Sequence, residues 1–144
     1  MADTIYVLNG PNMNLLGLRE PEIYGSDTLD DIAGQLEDRA LELDLKVDVR
    51  QSNHEGHLVD WLHEAQATGA KAVILNAAAF THTSIAIHDA IKSIKVPVIE
   101  VHLSDPMKRE EFRHISYVGM AAVAHFAGHG ADSYTLALDA AARL

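Results

Sequence analysis

The 144-residue chain has the composition of one ordinary globular domain, with 48% hydrophobic and 22% charged residues. Its formal net charge of −10 argues against a nucleic-acid partner, and the absence of cysteine excludes disulfides and thiolate metal ligands. No segment has the length and apolarity of a signal peptide or a membrane span, so we expect a cytoplasmic protein, without a membrane partner, forming a single domain over residues 1–144.

Short apolar runs rich in β-branched residues predict five strands, over residues 4–9, 46–51, 71–76, 97–102 and 121–127. The last of these is alanine-rich, and alanine is a poor strand former. Helical periodicity predicts helices over residues 28–43, 55–68, 84–94 and 132–143. In the first helix, for example, Leu29, Ile32 and Leu36 share one face.

Strands that alternate with helices predict parallel pairing and right-handed crossovers. Five such strands fit a flavodoxin-like, three-layer α/β/α fold with strand order 2-1-3-4-5. In sheets of this kind, ligands bind outside the carboxyl ends of the strands.

The segment LNGPNMNLLGLREPEIYG, residues 8–25, follows the first strand and fits neither a helix nor a strand. Its asparagines, glycines and prolines indicate irregular backbone. Leu15, Leu16 and Leu18 can pack such a loop down onto the domain. We therefore predict that residues 10–25 form a lid over an active site.

Polar residues gather at the predicted carboxyl ends of four strands. They lie in the opening loop, in residues 51–55, at Asn76 with residues 81–84, and at Glu100, His102 and Ser104. Four polar clusters on one edge of a sheet predict a binding site there.

Three kinds of chemistry find little support in the sequence. The HEGH stretch at residues 54–57 lacks the second histidine of a zinc-protease motif, because Leu58 stands in its place. The glycines of the first loop match no phosphate-binding motif. No lysine lies at the carboxyl end of a strand, which disfavours a Schiff base, and no G-x-S-x-G nucleophile motif is present.

General acid–base catalysis remains. Glu100 and His102 are two apart on a strand, so their side chains share a face, and a carboxylate beside an imidazole orients it as an acid. Tyr24 is a candidate base if Arg19 folds back against it. A guanidinium about 4 Å from a phenolate, at an effective dielectric of about 20, favours the phenolate by on the order of 4 kcal/mol.

The whole chain resembles the type II 3-dehydroquinate dehydratases. The matching segments are LNGPNMNLLGLREPEIYG, QSNHEGHLVDWLHEA, NAAAFTHTSIAIHDA, EVHLSDPMKREEFRH and GHGADSYTLAL. The resemblance implies a flavodoxin-like hydro-lyase without metal or organic cofactor. It implies the conversion of the anion 3-dehydroquinate to 3-dehydroshikimate through an enolate, in the shikimate or the quinate pathway.

The resemblance also implies roles for individual residues. Tyr24 would take the C2 proton with the help of Arg19, Asn12 would help to stabilise the enolate, and His102, supported by Glu100, would protonate the departing hydroxyl. Asp89 would reach the site of a neighbouring subunit in a homododecamer built as a tetramer of trimers. The substrate would be held by further residues, namely Asn76, His82, Leu103, Ser104 and Arg113.

The chain departs from the family at a few positions. Ala77 and Ala78 follow Asn76, where a glycine is common, and Met13 and Phe80 replace a frequent leucine and tyrosine. None of these changes removes a group that the chemistry uses. Two competing classes are a non-catalytic binding module, which binds without turnover, and a metal-dependent hydrolase, which a chelator would inactivate.

Overall fold

The computed structural model describes residues 2–144, and its centre is one parallel sheet with the order β2-β1-β3-β4-β5. Its strands are β1 (Asp3–Asn9), β2 (Leu45–Gln51), β3 (Ala72–Asn76), β4 (Val98–Val101) and β5 (Ala124–Phe126). The predicted flavodoxin-like fold class and strand order are confirmed.

The last strand is shorter than the predicted 121–127. Val118 accepts backbone hydrogen bonds from Ala121 and Ala122, so this part of the segment is a tight turn, and pairing with β4 begins only when Val123 N–H donates to Val98. The poor strand propensity of alanine accounts for the difference.

Helices cover both faces of the sheet. They are α1 (Pro21–Tyr24), α2 (Leu29–Glu42), α3 (Glu55–Thr68), α4 (Ile85–Ser93) and α5 (Asp132–Ala142). The second begins at a capping box, in which Thr28 and Asp31 each accept the other's backbone N–H. Among residues 2–144, no helix combines the length and apolarity that a bilayer crossing requires.

Alternation along the central strands divides the core in two. Ile5 and Val7 face α2 and α5, whereas Tyr6 and Leu8 face α3 and α4. Asn9 at the end of β1 is level with the ends of β2 and β3. The three carboxyl ends therefore meet at one edge of the sheet.

Candidate active site

A cleft opens at this edge, between the opening loop and the segments that follow β3 and β4. All the predicted site residues except Glu100 and Asp89 line it. The complete lining is Pro11, Asn12, Met13, Arg19, Tyr24, Asn76, Ala78, Ala79, His82, His102, Leu103, Ser104, Pro106, Arg109 and Arg113.

Glu100 lies directly behind His102. His102 Nε2 donates to Glu100 Oε2 at 2.7 Å, and both side chains are buried. Because the carboxylate can only accept, Nε2 carries the proton of this hydrogen bond. Nδ1 is then the ring nitrogen that Glu100 does not engage. The pair predicted from its spacing of two residues is thus formed.

A second donor supports the same carboxylate. Ser116 Oγ donates to Glu100 Oε2 at 2.5 Å and itself accepts the N–H of Gly119 at 2.8 Å. Burial opposes ionisation of Glu100, but the hydrogen bond and charge of His102, together with Ser116, outweigh it and hold the pKa of this carboxyl below its ordinary value. Glu100 is therefore a carboxylate at neutral pH.

His82 presents a neutral ring to the cleft. Its Nδ1 donates to the carbonyl of Ile115 at 2.8 Å, which leaves Nε2 as an acceptor. Burial lowers the pKa of His82, and the charges of His102 and Arg113 lower it further, beyond what the bond to Ile115 restores. The ring is suited to accept a hydrogen bond from a hydroxyl.

Asn76 is held by the turn that follows β3. Its Oδ1 accepts the N–H of Ala78 at 3.1 Å, and its Nδ2 lies 3.7 Å from Met13 Sδ. Ala78 has a φ of 52°, in the left-handed region that glycine tolerates best. Ala78 therefore adopts this turn under backbone strain.

Tyr24 lies between arginines of two different segments. The Cζ atom of Arg19 is 4.7 Å from the centroid of the Tyr24 ring, and that of Arg109 is 5.0 Å from it. The predicted contact between Arg19 and Tyr24 is therefore present. It forms because α1 starts at Pro21, whose fixed φ suits a first helical turn, and brings Tyr24 back over Arg19.

The opening loop contains more regular structure than predicted, because Met13–Leu15 forms a 3₁₀ turn and Pro21–Tyr24 one turn of α-helix. Its apolar side chains also divide differently. Leu16 is buried in the core, whereas Leu15 is 45% and Leu18 86% exposed. The expectation that all three leucines pack the loop down is wrong for Leu15 and Leu18.

The polar cluster after β2 supports the loop instead of lining the cleft. Asn53 Oδ1 accepts the N–H of Asn12 at 3.0 Å, and Gln51 Nε2 donates to the carbonyl of Gly10 at 3.2 Å. These bonds hold Asn12 at a φ of 69°. Three of the four predicted clusters therefore form the cleft, and the fourth positions one of its walls.

The cleft is cationic although the chain is acidic. Its lining contains Arg19, Arg109 and Arg113 but no aspartate or glutamate. The backbone N–H groups of Leu103 and Ser104, just beyond β4, donate to no backbone carbonyl in residues 2–144. Guanidinium and amide N–H groups on one wall suit a small carboxylate.

The family model of dehydroquinase class II matches residues 3–142 of the chain. The chain belongs to this family. It is 60% identical over 144 residues to a 3-dehydroquinate dehydratase of Hyphomonas neptunium, a match that covers 100% of this chain and 96% of that protein. A second 3-dehydroquinate dehydratase, from Caulobacter vibrioides, is 55% identical over 141 residues, with 98% and 96% covered.

Solved structures of dehydroquinases agree. The type II dehydroquinase of Propionibacterium acnes superimposes with a TM-score of 0.95 at 44% identity, covering 100% of this chain and 99% of that one. The type II dehydroquinase of Butyrivibrio crossotus gives the same TM-score at 38% identity, with 97% of each chain covered.

Two contributors to this dehydroquinase-family cleft were missed from the sequence, namely Arg109 and Ser116. A signal existed for Arg109: it lies four residues before Arg113 in a basic stretch, and an anion site in an acidic chain needs several cations. Nothing in the sequence pairs Ser116 with Glu100, because Ser116 lies 16 positions further along the chain and the segment between them follows no helical or strand periodicity.

Asp89 lies apart from the cleft of its own chain. It is an exposed residue of α4, and its side chain is absent from the lining. Its predicted role in a neighbouring subunit stays a prediction. No group of three or more histidine, aspartate or glutamate side chains within residues 2–144 is arranged to hold a metal ion.

Proposed function

We propose that the protein dehydrates 3-dehydroquinate to 3-dehydroshikimate with a tyrosine base and a histidine acid. One observation carries the proposal: in a dehydroquinase-family cleft, an arginine-flanked tyrosine and a carboxylate-bound histidine meet among cationic groups. Neither a metal ion nor an organic cofactor enters the chemistry proposed below.

Tyr24 is the proposed base. A tyrosine accepts a carbon-bound proton only as the phenolate, and the guanidinium groups of Arg19 and Arg109 lie against the Tyr24 ring. Arg19 also forms an ion pair with Glu20, with 3.8 Å between Arg19 Nε and Glu20 Oε2. Arg109 contacts the Tyr24 ring from the segment after β4. The phenolate removes the C2 proton, and the electron pair moves onto the carbonyl oxygen as an enolate.

His102 is the proposed acid. Its Nε2–H is committed to Glu100, so the proton given to the departing C1 hydroxyl comes from Nδ1. As the enolate collapses, the C1–O bond breaks, water leaves and the C1–C2 double bond forms. Glu100 stabilises the imidazolium before this step. Asn12, at the base of the lid, donates to the enolate oxygen directly or through water.

The substrate carboxylate is held, in this proposal, by Arg113 and the N–H groups of Leu103 and Ser104. Arg113 Nε is bound to Glu110 at 2.8 Å, which fixes the guanidinium and leaves its other nitrogens for the anion. His82 Nε2 accepts from one substrate hydroxyl and Asn76 donates to another.

We also propose that the protein is a homo-oligomer, in which Asp89 completes the site of a neighbouring subunit. Several large apolar side chains are exposed in the single chain, among them Phe112, Ile115, Met120 and Val123. Light scattering tests the proposal: twelve times the chain's mass is expected, and a monomer would refute it.

Turnover tests the function. The conjugated enone product absorbs in the ultraviolet, so mixing the protein with 3-dehydroquinate should produce a steady rise in absorbance, unchanged by a chelator. Borohydride added with substrate should not inactivate the protein. Saturable binding without turnover would instead identify a binding module, and a trapped covalent adduct would reject the enolate route.

A further inference from the structure

A buried chain of hydrogen bonds runs beneath the floor of the cleft. Asn9 Nδ2 donates to the carbonyl of Arg50 at 3.0 Å, and the hydroxyl of Tyr134 donates to Asn9 Oδ1 at 2.6 Å. Asn76 Nδ2 donates to the Tyr134 oxygen at 2.9 Å, and Asn76 Oδ1 accepts from Ala78. Asn9 and Tyr134 are fully buried, and Asn76 is 4% exposed.

The backbone groups at its two ends fix the direction of every bond in this chain. The Arg50 carbonyl can only accept, so Asn9 must turn its NH₂ towards Arg50 and its oxygen towards Tyr134. The single hydroxyl proton of Tyr134 is then used on Asn9. Its oxygen can therefore only accept, and the group that faces it must be the NH₂ of Asn76.

The Ala78 end of this series of hydrogen bonds requires the same orientation of the Asn76 amide. The N–H of Ala78 can only donate, so it requires the oxygen of Asn76. A reversed Asn76 amide would bring two donors together at Ala78 and two acceptors together at Tyr134. Since the side chains of Asn76 and Tyr134 are buried, the reversed arrangement would leave their polar atoms unsatisfied.

One hydrogen of the Asn76 NH₂ remains without a strong partner. Its nearest protein acceptor is Met13 Sδ at 3.7 Å, and a thioether is a weak acceptor. Met13 and Asn76 both line the cleft. A substrate hydroxyl oxygen entering the cleft would be a better acceptor for this hydrogen than the sulfur.

We infer that Tyr134 is a positioning residue that holds the Asn76 amide with its NH₂ directed at the substrate. Tyr134 is fully buried and does not line the cleft, so it acts through Asn76 alone. The inference rests on the proposed function, in which Asn76 binds a substrate hydroxyl. Burial also raises the pKa of Tyr134, which keeps its hydroxyl proton in place throughout the working pH range.

Two tyrosine-to-phenylalanine substitutions provide a matched test. Tyr134→Phe removes the hydroxyl that orients Asn76. Tyr6→Phe removes a hydroxyl of a buried ring on the opposite face of the sheet, where it bonds Glu64 at 2.9 Å and Thr68 at 3.0 Å. Both variants should melt at a lower temperature than the wild type.

Only Tyr134→Phe should change substrate binding. We expect its KM for 3-dehydroquinate to rise about tenfold, with kcat changed less than about threefold, because the reacting groups are untouched. Tyr6→Phe should leave both constants at their wild-type values. An unchanged KM in Tyr134→Phe would overturn the inference.

A double variant separates positioning from a general loss of stability. Asn76→Ala should raise KM, and adding Tyr134→Phe to it should raise KM no further, because the residue through which Tyr134 acts is gone. Effects that multiply in the double variant would contradict the inference.

If Tyr134→Phe does not fold, Asn9→Leu tests the same series of hydrogen bonds from the Asn9 end. It removes the acceptor of the Tyr134 proton, so the hydroxyl can donate to Asn76 Oδ1, and only the Ala78 N–H then opposes reversal of the amide. KM should rise here too, and an unchanged KM would overturn the inference. A wild-type protein without turnover would refute the proposed function itself, whereas turnover with unchanged KM in the variants refutes only the role of Tyr134.

Discussion

Two regions support the proposed functional groups in different ways: the opening loop over residues 10–25, here called the lid, and the edge of the sheet at the carboxyl ends of its strands, here called the rim. The proposed acid and its partner, His102 and Glu100, are buried at the end of β4 and bound to each other and to Ser116. The proposed base, Tyr24, is half-buried on a four-residue helix within a loop whose Leu18 is 86% exposed.

This difference implies different stabilities. Residues at the rim are expected to unfold only when the sheet unfolds, whereas a loop with few buried side chains can unfold locally at a low cost in free energy. In the lid, the buried anchors are Met13 and Leu16. In the proposed mechanism, the acid therefore stands on a rigid support, and the base stands on a segment that we expect to admit the substrate and then exclude water.

The largest effects are expected from removing either reacting group. Tyr24→Phe and His102→Ala should each lower kcat by about 10²–10⁴-fold, the usual contribution of a positioned acid or base. Both variants should keep the wild-type circular dichroism spectrum, because Tyr24→Phe retains the ring that packs against one buried cluster and His102 belongs to neither cluster. A Tyr24→Phe variant with near-wild-type kcat would refute the assignment of the base.

The two arginines beside Tyr24 test how the lid activates its base. Arg19→Ala and Arg109→Ala should each lower kcat/KM by about 10–100-fold, because each removes a positive charge that lies close to the proposed base. A kcat/KM within about twofold of the wild-type value in both variants would contradict the role proposed for these arginines.

Glu100 tests the rim. Glu100→Gln should lower kcat by about tenfold, since a neutral amide orients His102 but does not favour its charged form. The pKa of Glu100 is below its ordinary value, so its contribution to folding is complete above that ordinary value and is lost as the pH falls through the lowered pKa. The melting temperature of Glu100→Gln should therefore depend less on pH in acid than that of the wild type.

The smallest expected effect concerns the turn after β3. Ala78→Gly relieves a left-handed conformation that costs about 1–2 kcal/mol, against about 0.4–1 kcal/mol of added unfolded-state entropy. The melting temperature should rise by about 1–4 °C. Ala79→Gly, at a neighbouring residue without positive φ, should lower it, and a fall in both variants would show that Ala78 is unstrained.

Local patterns sufficed to predict the sheet and the contact between Glu100 and His102. Alternating strands and helices define the topology, and the spacing of Glu100 and His102 places them on one face of a strand. The residue roles in the lid came from family resemblance, because no periodicity relates Arg19 to Tyr24.

What the sequence could not supply arises from the folding of irregular segments. Arg109 and Ser116 reach their partners through turns whose path depends on tertiary packing. Nothing in the sequence indicated that Leu15 and Leu18 are exposed, because a leucine in a loop of this composition can face either the core or the solvent.

Exchange of the C2 proton of 3-dehydroquinate in D₂O, followed by NMR, tests most directly whether the lid supplies the base and the rim the acid. His102→Ala should still exchange this proton while forming almost no product, because the base and the enolate site remain. Tyr24→Phe should lose both exchange and elimination. Exchange in Tyr24→Phe as fast as in His102→Ala would contradict the account.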